Sequence, residues 1–272
     1  MVIRNPKVTA DNRSKTSLFE GISAGSLEVR LAKSEDEIKA AQALRYRVFY
    51  EEMGAIPSSE MKTLKRDFDR FDEFCDHLLV LDNALPDGPD QVVGTYRLYR
   101  RSVADQNGGF YSANEFDISA IINQPGEILE LGRSCVHSNY RNRATMTLLW
   151  RGNAAYVIHH KIPIMFGCAS FPGSDPKQHA LPLAYLYHYQ LAPKYIRPVA
   201  LTERYINMNT LPKNNIDQRA AIREVPPLIK GYLRLGGFIG DGGVIDTQWD
   251  SVDVSIVVKT DLVTQKYREK LT

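Results

Sequence analysis

Residues 127–136 form a strand-like apolar run that carries a carboxylate, Glu130, and a guanidinium, Arg133, three positions apart. Two charged side chains inside such a run are costly unless they pair or do chemistry. Their odd spacing sends them to opposite faces of a regular strand. For both to reach one pocket a bulge must lie between them, and Gly132 is well placed for it. A bulge would also leave a backbone N–H free to face a developing oxyanion. The rest of the chain reads outward from this run.

Residues 1–26 are polar and without periodicity, which predicts a flexible tail ahead of one domain spanning 27–272. Residues 27–31 alternate like a half-buried strand. Ser34 and Glu37 make a capping box for a helix carrying Ile38, Ala41, Leu44, Val48 and Phe49 and stopping near Gly54. A long polar connection over 55–76 holds Asp67, Asp69 and Asp72, and a loop of that length is more often functional or disordered than a mere connector. Residues 77–81 and 92–99 read as a hairpin, 100–126 as irregular, 144–160 as a helix, and 162–170 as a strand buried on both faces. A tyrosine-rich helix over 183–191 and a less regular stretch to Glu224 follow. Pro226-Pro227 then opens a short helix ended by Gly236-Gly237, before closing strands at 238–245 and 252–259. With no internal repeat, the simplest reading is a single α/β domain on a mixed central sheet flanked by helices.

Among 272 residues the net charge is only +2, so no global field argues for nucleic acid. Cys75, Cys135 and Cys168 lack metal-ligand spacing and read as reduced core thiols. No secretory signal and no stretch of about 20 apolar residues is visible, so the chain reads as cytoplasmic, at most peripheral at a membrane. Gly236-Gly237 and Gly240-Asp241-Gly242-Gly243 follow a helix and precede strands, the reverse of a dinucleotide fingerprint, and suit turns. Neither Gly132-Arg133-Ser134 nor Gly167-Cys168-Ala169-Ser170 has the second glycine of a nucleophile elbow. The histidines show no zinc-protease spacing, and no metal site is expected. The Asp67, Asp69, Asp72 cluster is open to three readings: a solvated acidic loop, a pocket for an amine-bearing substrate, or a divalent-metal site.

Arg45-x-x-x-Phe49, Asp67-x-Asp69-x-x-Asp72, Arg97 after Val93-Gly94, and Glu130-x-x-Arg133 occur in an order and spacing similar to the signature of the acyl-homoserine-lactone synthases. A closer resemblance, over residues 27 to 259, is to the bacterial ornithine-acyl-carrier-protein N-acyltransferases. It rests on Arg45–Gly54, Cys75–Val80, Val93–Leu98, Phe110–Phe116, Glu130–Val136, Met165–Phe171 and Pro226–Gly236. The resemblance implies an N-acetyltransferase-like (GNAT-type) fold. It also implies transfer of a 3-hydroxyacyl chain from acyl carrier protein to the α-amine of ornithine, giving lyso-ornithine lipid. No bound cofactor is expected; the phosphopantetheine thioester is a co-substrate, and an amphipathic product suits contact with the inner membrane.

Under that resemblance Glu130 is the expected proton acceptor, with Arg133 holding it in place or stabilising developing charge. Arg45 or Arg97 is expected on the ornithine carboxylate, Asp69 and Asp72 on its side-chain ammonium, and Phe49 and Asp67 beside them. A tyrosine among Tyr185, Tyr187 and Tyr189 is the candidate for protonating the leaving thiolate. The related acetyltransferases bind pyrophosphate with a glycine-rich turn ahead of a helix, whereas this chain has Arg141-Asn142-Arg143-Ala144-Thr145-Met146. Bulkier residues narrow a phosphate cradle. Arg141, Arg143 and Ser134 are therefore expected on the single phosphodiester of the carrier protein's arm, or on the carrier itself. The readings kept beside this one are a lactone synthase using S-adenosylmethionine, a non-catalytic acyl-carrier-binding module and a haemolysin-like protein.

Overall fold

The computed structural model describes residues 21–263. Of the expected tail, residues 1–20 lie outside the described residues, whereas Ile22–Ala24 already forms a strand (β1) paired with β2 (Leu27–Leu31). Helix α1 (Glu35–Tyr46) is capped by Ser34, whose Oγ accepts from Glu37 N–H at 3.2 Å. The return bond of the expected capping box goes one residue earlier: Glu37 accepts from Lys33 N–H and also pairs with Arg30. A π-helical turn, Arg47–Glu52, prolongs α1. The supposed connector then holds α2 (Ser59–Leu64) before β3 (Asp76–Asp82) and β4 (Val92–Arg100).

The stretch read as irregular contains α3 (Arg101–Ala104), β5 (Phe116–Asp117) and α4 (Ser119–Ile122). Arg101 ties it down, donating to the carbonyls of Ile122, Gln124 and Gly126. A central unit follows: β6 (Ile128–Val136), α5 (Arg143–His159) and β7 (Ile164–Pro172). Beyond it come α6 (Ala180–Gln190), β8 (Val199–Ala200), β9 (Tyr205–Ile206), α7 (Gln218–Glu224), α8 (Pro227–Arg234), β10 (Phe238–Asp246) and β11 (Ser251–Lys259). The described strands form one mixed sheet in the order β1-β2-β3-β4-β6-β7-β11-β10-β8-β5, with β9 on β10. The Gly240–Gly243 segment is no connecting turn. It lies inside β10 as an irregularity, where Asp241 N–H reaches the Pro198 carbonyl at 2.8 Å.

Helices cover both faces, which explains why β3 is buried along almost its whole length. Leu78 and Val80 pack with Leu148, Leu149 and Tyr156 of α5, while Leu79 and Leu81 pack with Ala40, Ala41 and Leu44 of α1. Alternation thus distributes one strand between two cores.

The functional geometry comes from the parallel pair. The β6–β7 register runs from Ile128–Ile164 to Glu130–Phe166 and ends there. Past that point each strand stays with its other neighbour, β6 with β4 out to Val136 and β7 with β11 out to Pro172. The two strands therefore part like a V. A Cβ at Gly167 would overlap the Leu131 carbonyl oxygen, so the apex needs a residue without a side chain. Substitution Gly167→Ala is expected to cost about 1–3 kcal/mol through overpacking, read as a lower midpoint in urea unfolding.

Candidate active site

The V opens into a cleft of about 660 Å³, lined on the β6 side by Glu130, Gly132, Arg133 and Ser134 and on the β7 side by Cys168, Ala169 and Ser170. Tyr96, Arg97, Tyr111, Tyr232 and Trp249 close its walls. The bulge expected near Gly132 is present. Arg97 faces Gly132 and Thr95 faces Cys135, so β6 carries one more residue than β4 between those pairs. Its conformational burden falls on Arg133, at φ 49°, rather than on the glycine. A left-handed non-glycine residue costs on the order of 1–3 kcal/mol and persists only where its surroundings over-determine it.

Those surroundings are explicit. Arg133 Nε donates to Asp67 Oδ2 at 3.2 Å and Nη2 donates to Asp69 Oδ2 at 3.1 Å. Its guanidinium lies against the Trp249 ring at 4.6 Å and the Tyr111 ring at 5.1 Å. Arg45 is fully buried, binding Asp67 through Nε at 2.7 Å and Asp72 bidentately at 2.8 and 2.9 Å. Arg97 Nη1 donates to Asp69 Oδ1 at 2.6 Å. Asp72 in turn accepts from Asp69 N–H, and Tyr50 donates its hydroxyl to Asp67. Three aspartates thus meet three arginines. Burial alone would push Asp67 and Asp72 up, but Arg45, joined by Arg133 at Asp67 and by Arg97 at Asp72, holds both carboxyls below the usual range.

The pair that made the strand anomalous finds separate partners. Glu130, buried, accepts from Tyr111 N–H at 2.9 Å, from Ser112 N–H at 2.6 Å and from Ser112 Oγ at 2.5 Å. Burial raises its pKa against these hydrogen bonds. The expected contact by which Arg133 steadies Glu130 is replaced by the Tyr111–Ser112 turn, while Arg133 serves the aspartates. Arg45 does not line the cleft, so it is not placed to meet a substrate carboxylate; Arg97 and Arg133 do line it. Asp67, Asp69 and Asp72 do not line the cleft either, and their charges are spent on arginines. Phe49 lines the cleft edge-on to Trp249 at 5.2 Å.

At the mouth, Arg141 lines the cleft, donates to the Val136 carbonyl and pairs with Glu52. Arg143 is exposed in the first turn of α5, whose N-cap is filled by Asn142, its Oδ1 accepting from Thr145 N–H at 3.1 Å. Tyr185, Tyr187 and Tyr189 belong to α6 and do not line the cleft; Tyr96 and Tyr232 do, with hydroxyls 3.3 Å apart. Sequence reasoning left one group without a role. Glu115, Asp246 and Asp253, all buried, bring carboxylate oxygens within 4.8 Å of one another. The Phe110–Phe116 block contains Glu115, but nothing in its spacing points to two aspartates more than a hundred residues on.

A parallel strand pair splayed around a cleft, with a buried carboxylate at its apex, defines an acyl-transfer enzyme of the N-acetyltransferase type. Residues 44–151 match the family model described as an acetyltransferase (GNAT) domain. In fold the chain is similar to an N-acyl amino acid synthase from uncultured soil microbes, at TM-score 0.51 and 11% identity over 89% of this chain and 97% of that one. The chain belongs to the L-ornithine N(alpha)-acyltransferase family. It is 49% identical over 246 residues to the enzyme of that name from Agrobacterium fabrum, covering 89% of this chain and 84% of the relative. The Rhodobacter capsulatus enzyme of the same name is 42% identical over 248 residues, covering 91% and 95%. Among the described residues no helix is long and apolar enough to cross a membrane.

Three expectations about stability follow. Removing one partner of the buried lattice, as in Arg45→Met, strands Asp67 and Asp72 and is expected to cost roughly 3–5 kcal/mol in urea denaturation. The acidic trio has the opposite sign. Burial and the neighbouring Asp253 and Asp246 push Glu115 up to about 7, partly offset by Cys168 and Arg204. Between its ordinary value of 4.5 and about 7 the folded state holds a proton the unfolded chain has lost. Stability therefore falls as pH rises through that window, and Glu115→Gln is expected to flatten this slope in pH-dependent melting. Asp67 and Asp72, with lowered values, give stability that is complete above about pH 4 and is lost on further acidification.

Proposed function

We propose that this chain moves a 3-hydroxyacyl group from the phosphopantetheine thioester of acyl carrier protein to the α-amine of L-ornithine, giving lyso-ornithine lipid. The observation that carries the acceptor is the 42–49% identity, over most of the chain, to relatives named for that reaction. The cleft supplies the parts such a transfer requires.

The amine attacks only as the neutral base, so ornithine's α-ammonium must first lose a proton. Glu130 stands at the cleft apex with a raised pKa, and it takes that proton directly or through one water. The thioester carbonyl lies along β6 beyond Glu130, where the strand no longer pairs with β7, so its oxygen meets backbone N–H of the bulge. Collapse of the tetrahedral adduct breaks the C–S bond, and the thiolate needs a proton. Attack leaves a second proton on the nitrogen, and Tyr232, with Tyr96 as its partner, relays it: its hydroxyl gives a proton to the thiolate and takes the nitrogen's in its place, so the buried phenol ends protonated. Arg97 serves the ornithine carboxylate.

For the donor, a helix start capped by its own asparagine side chain, with Arg141 at the cleft mouth, suits one phosphodiester better than a pyrophosphate. Arg141 and Arg143 then flank the arm or the acidic carrier protein, and Ser134 lines the channel it enters. Purified protein given acyl carrier protein thioester and ornithine is expected to form N-acylornithine by mass spectrometry. S-adenosylmethionine in place of ornithine is expected to yield no lactone. Glu130→Gln should lower kcat by about 10²–10⁴-fold with each KM within a few-fold. A circular dichroism spectrum like the wild type alongside a near-normal rate would remove Glu130 as the base.

A further inference from the structure

The chain holds two carboxylate clusters near the cleft, and they differ in their countercharge. The Asp67, Asp69 and Asp72 cluster is matched by Arg45, Arg97 and Arg133. Among the described residues no ion pair reaches Glu115, Asp246 or Asp253; Arg204 acts on Glu115 and Asp253 from a distance, its guanidinium donating to the carbonyls of Asn114 and Ile245 at 3.0 and 3.3 Å. Asp246 accepts from the N–H groups of Gln248 and Trp249, and Asp253 accepts from Ser251 Oγ. Glu115, only 2% exposed, keeps a buried Oε2 with no hydrogen-bond partner. Buried carboxylate oxygens are rarely left so, and an orphan among three close acidic groups marks a place for a cationic donor.

Its position relates it to the chemistry. Of the trio Asp253 lines the cleft, with Cys168 and Ser170, whereas Glu115 and Asp246 stand off its wall and join it through Asp253, their carboxylate oxygens within 4.8 Å of one another. Ser112 bridges the two regions, its hydroxyl donating to Glu130 at 2.5 Å and accepting from Cys168 Sγ at 3.4 Å, while Cys168 neighbours Glu115. Two amino groups joined by a four-carbon chain stand about 6 Å apart at full extension. Glu130, Cys168 and Asp253 line the same cleft, so one end of such a molecule at Glu130 leaves the other to run along the Cys168 wall toward Asp253.

We propose that Glu115, Asp246 and Asp253 form the subsite for the side-chain ammonium of the amino-acid acceptor and thereby select a diamino acid over a neutral one. The inference rests on the ornithine reading and gives it a residue-level cause. A primary ammonium has three N–H donors and no acceptor, which matches three converging carboxylate oxygens. Its arrival puts one positive charge where the trio otherwise holds a proton. The aspartates of the 55–76 segment, already neutralised, take no part.

The test compares ornithine with norvaline, a neutral amino acid with a side chain of the same carbon skeleton, in the full-length enzyme with acyl carrier protein thioester. The wild type is expected to prefer ornithine in kcat/KM by about 10²-fold or more. In Glu115→Gln and Asp253→Asn that ratio should collapse toward one, chiefly through the KM for ornithine. Folding is controlled by melting: ornithine, but not norvaline, should raise the wild-type Tm, and the unliganded Glu115→Gln variant should melt no lower than wild type. A ratio untouched by both substitutions would overturn the subsite alone. So would loss of activity on chelation, restored by a divalent metal whose calorimetric binding vanishes in Glu115→Gln, because the trio would then be a metal site. A wild-type enzyme that acylates neither amino acid would overturn the ornithine reading itself.

Discussion

Three guanidiniums drawn from α1, β4 and β6 converge on three aspartates of the 55–76 segment, and the shape of the cleft depends on that meeting. Arg45 brings the first helix onto the segment, Arg97 adds the hairpin strand, and Arg133 adds the bulged strand. A buried ionic lattice of this kind is weak evidence for stability in itself, since desolvation consumes much of the Coulomb gain. What it provides is position. It holds Arg133 left-handed, and with Tyr111 and Trp249 it draws the loop before β5 and the β10–β11 turn onto the same guanidinium.

With the bulge held, the remaining geometry follows from strand pairing. β6 and β7 share only the short stretch ending at Glu130–Phe166, and each then follows a different neighbour. The carboxylate stands at the apex of the parting, where both walls of the cleft are close. Tyr111 and Ser112 deliver three donors to Glu130 from the loop ahead of β5. The orientation of the expected base is thus set by a turn, which leaves Arg133 available for the lattice.

Much of this was legible in the sequence, for physical reasons that differ from element to element. Strands such as β3, β4 and β7 announce themselves through apolar runs, and α1 through Ser34 and helical spacing. The bulge was legible because two charges at odd spacing cannot share a face without one. Strands β1, β5, β8 and β9, of two or three residues each, carry too little pattern to be read. The partners of the charges were beyond reach for another reason. Arg133 and Asp67 are 66 residues apart, and no local rule says that an acidic loop will be neutralised by arginines of three separate elements. The Asp67, Asp69, Asp72 cluster looked available for an amine because its countercharges lie elsewhere in the chain.

That difference separates acidic residues that build the fold from those that await a ligand. Coulomb repulsion among carboxylates a few ångströms apart grows as water is excluded, so a buried cluster must be matched by cations, hold protons or bind something positive. In the first cluster the match is internal, and both buried aspartates stay ionised well below neutral pH. In the second, burial and mutual repulsion raise Glu115 and Asp253. A proton is the default cation for such a site, and a substrate ammonium that fits can displace it. Placing the second cluster on the β7–β11 side lets the cleft read the far end of an amino acid while Glu130, on β6, deals with the near one. A neutral side chain would leave the trio buried and unanswered, so the cost of the wrong acceptor is already present in the folded protein before any substrate enters.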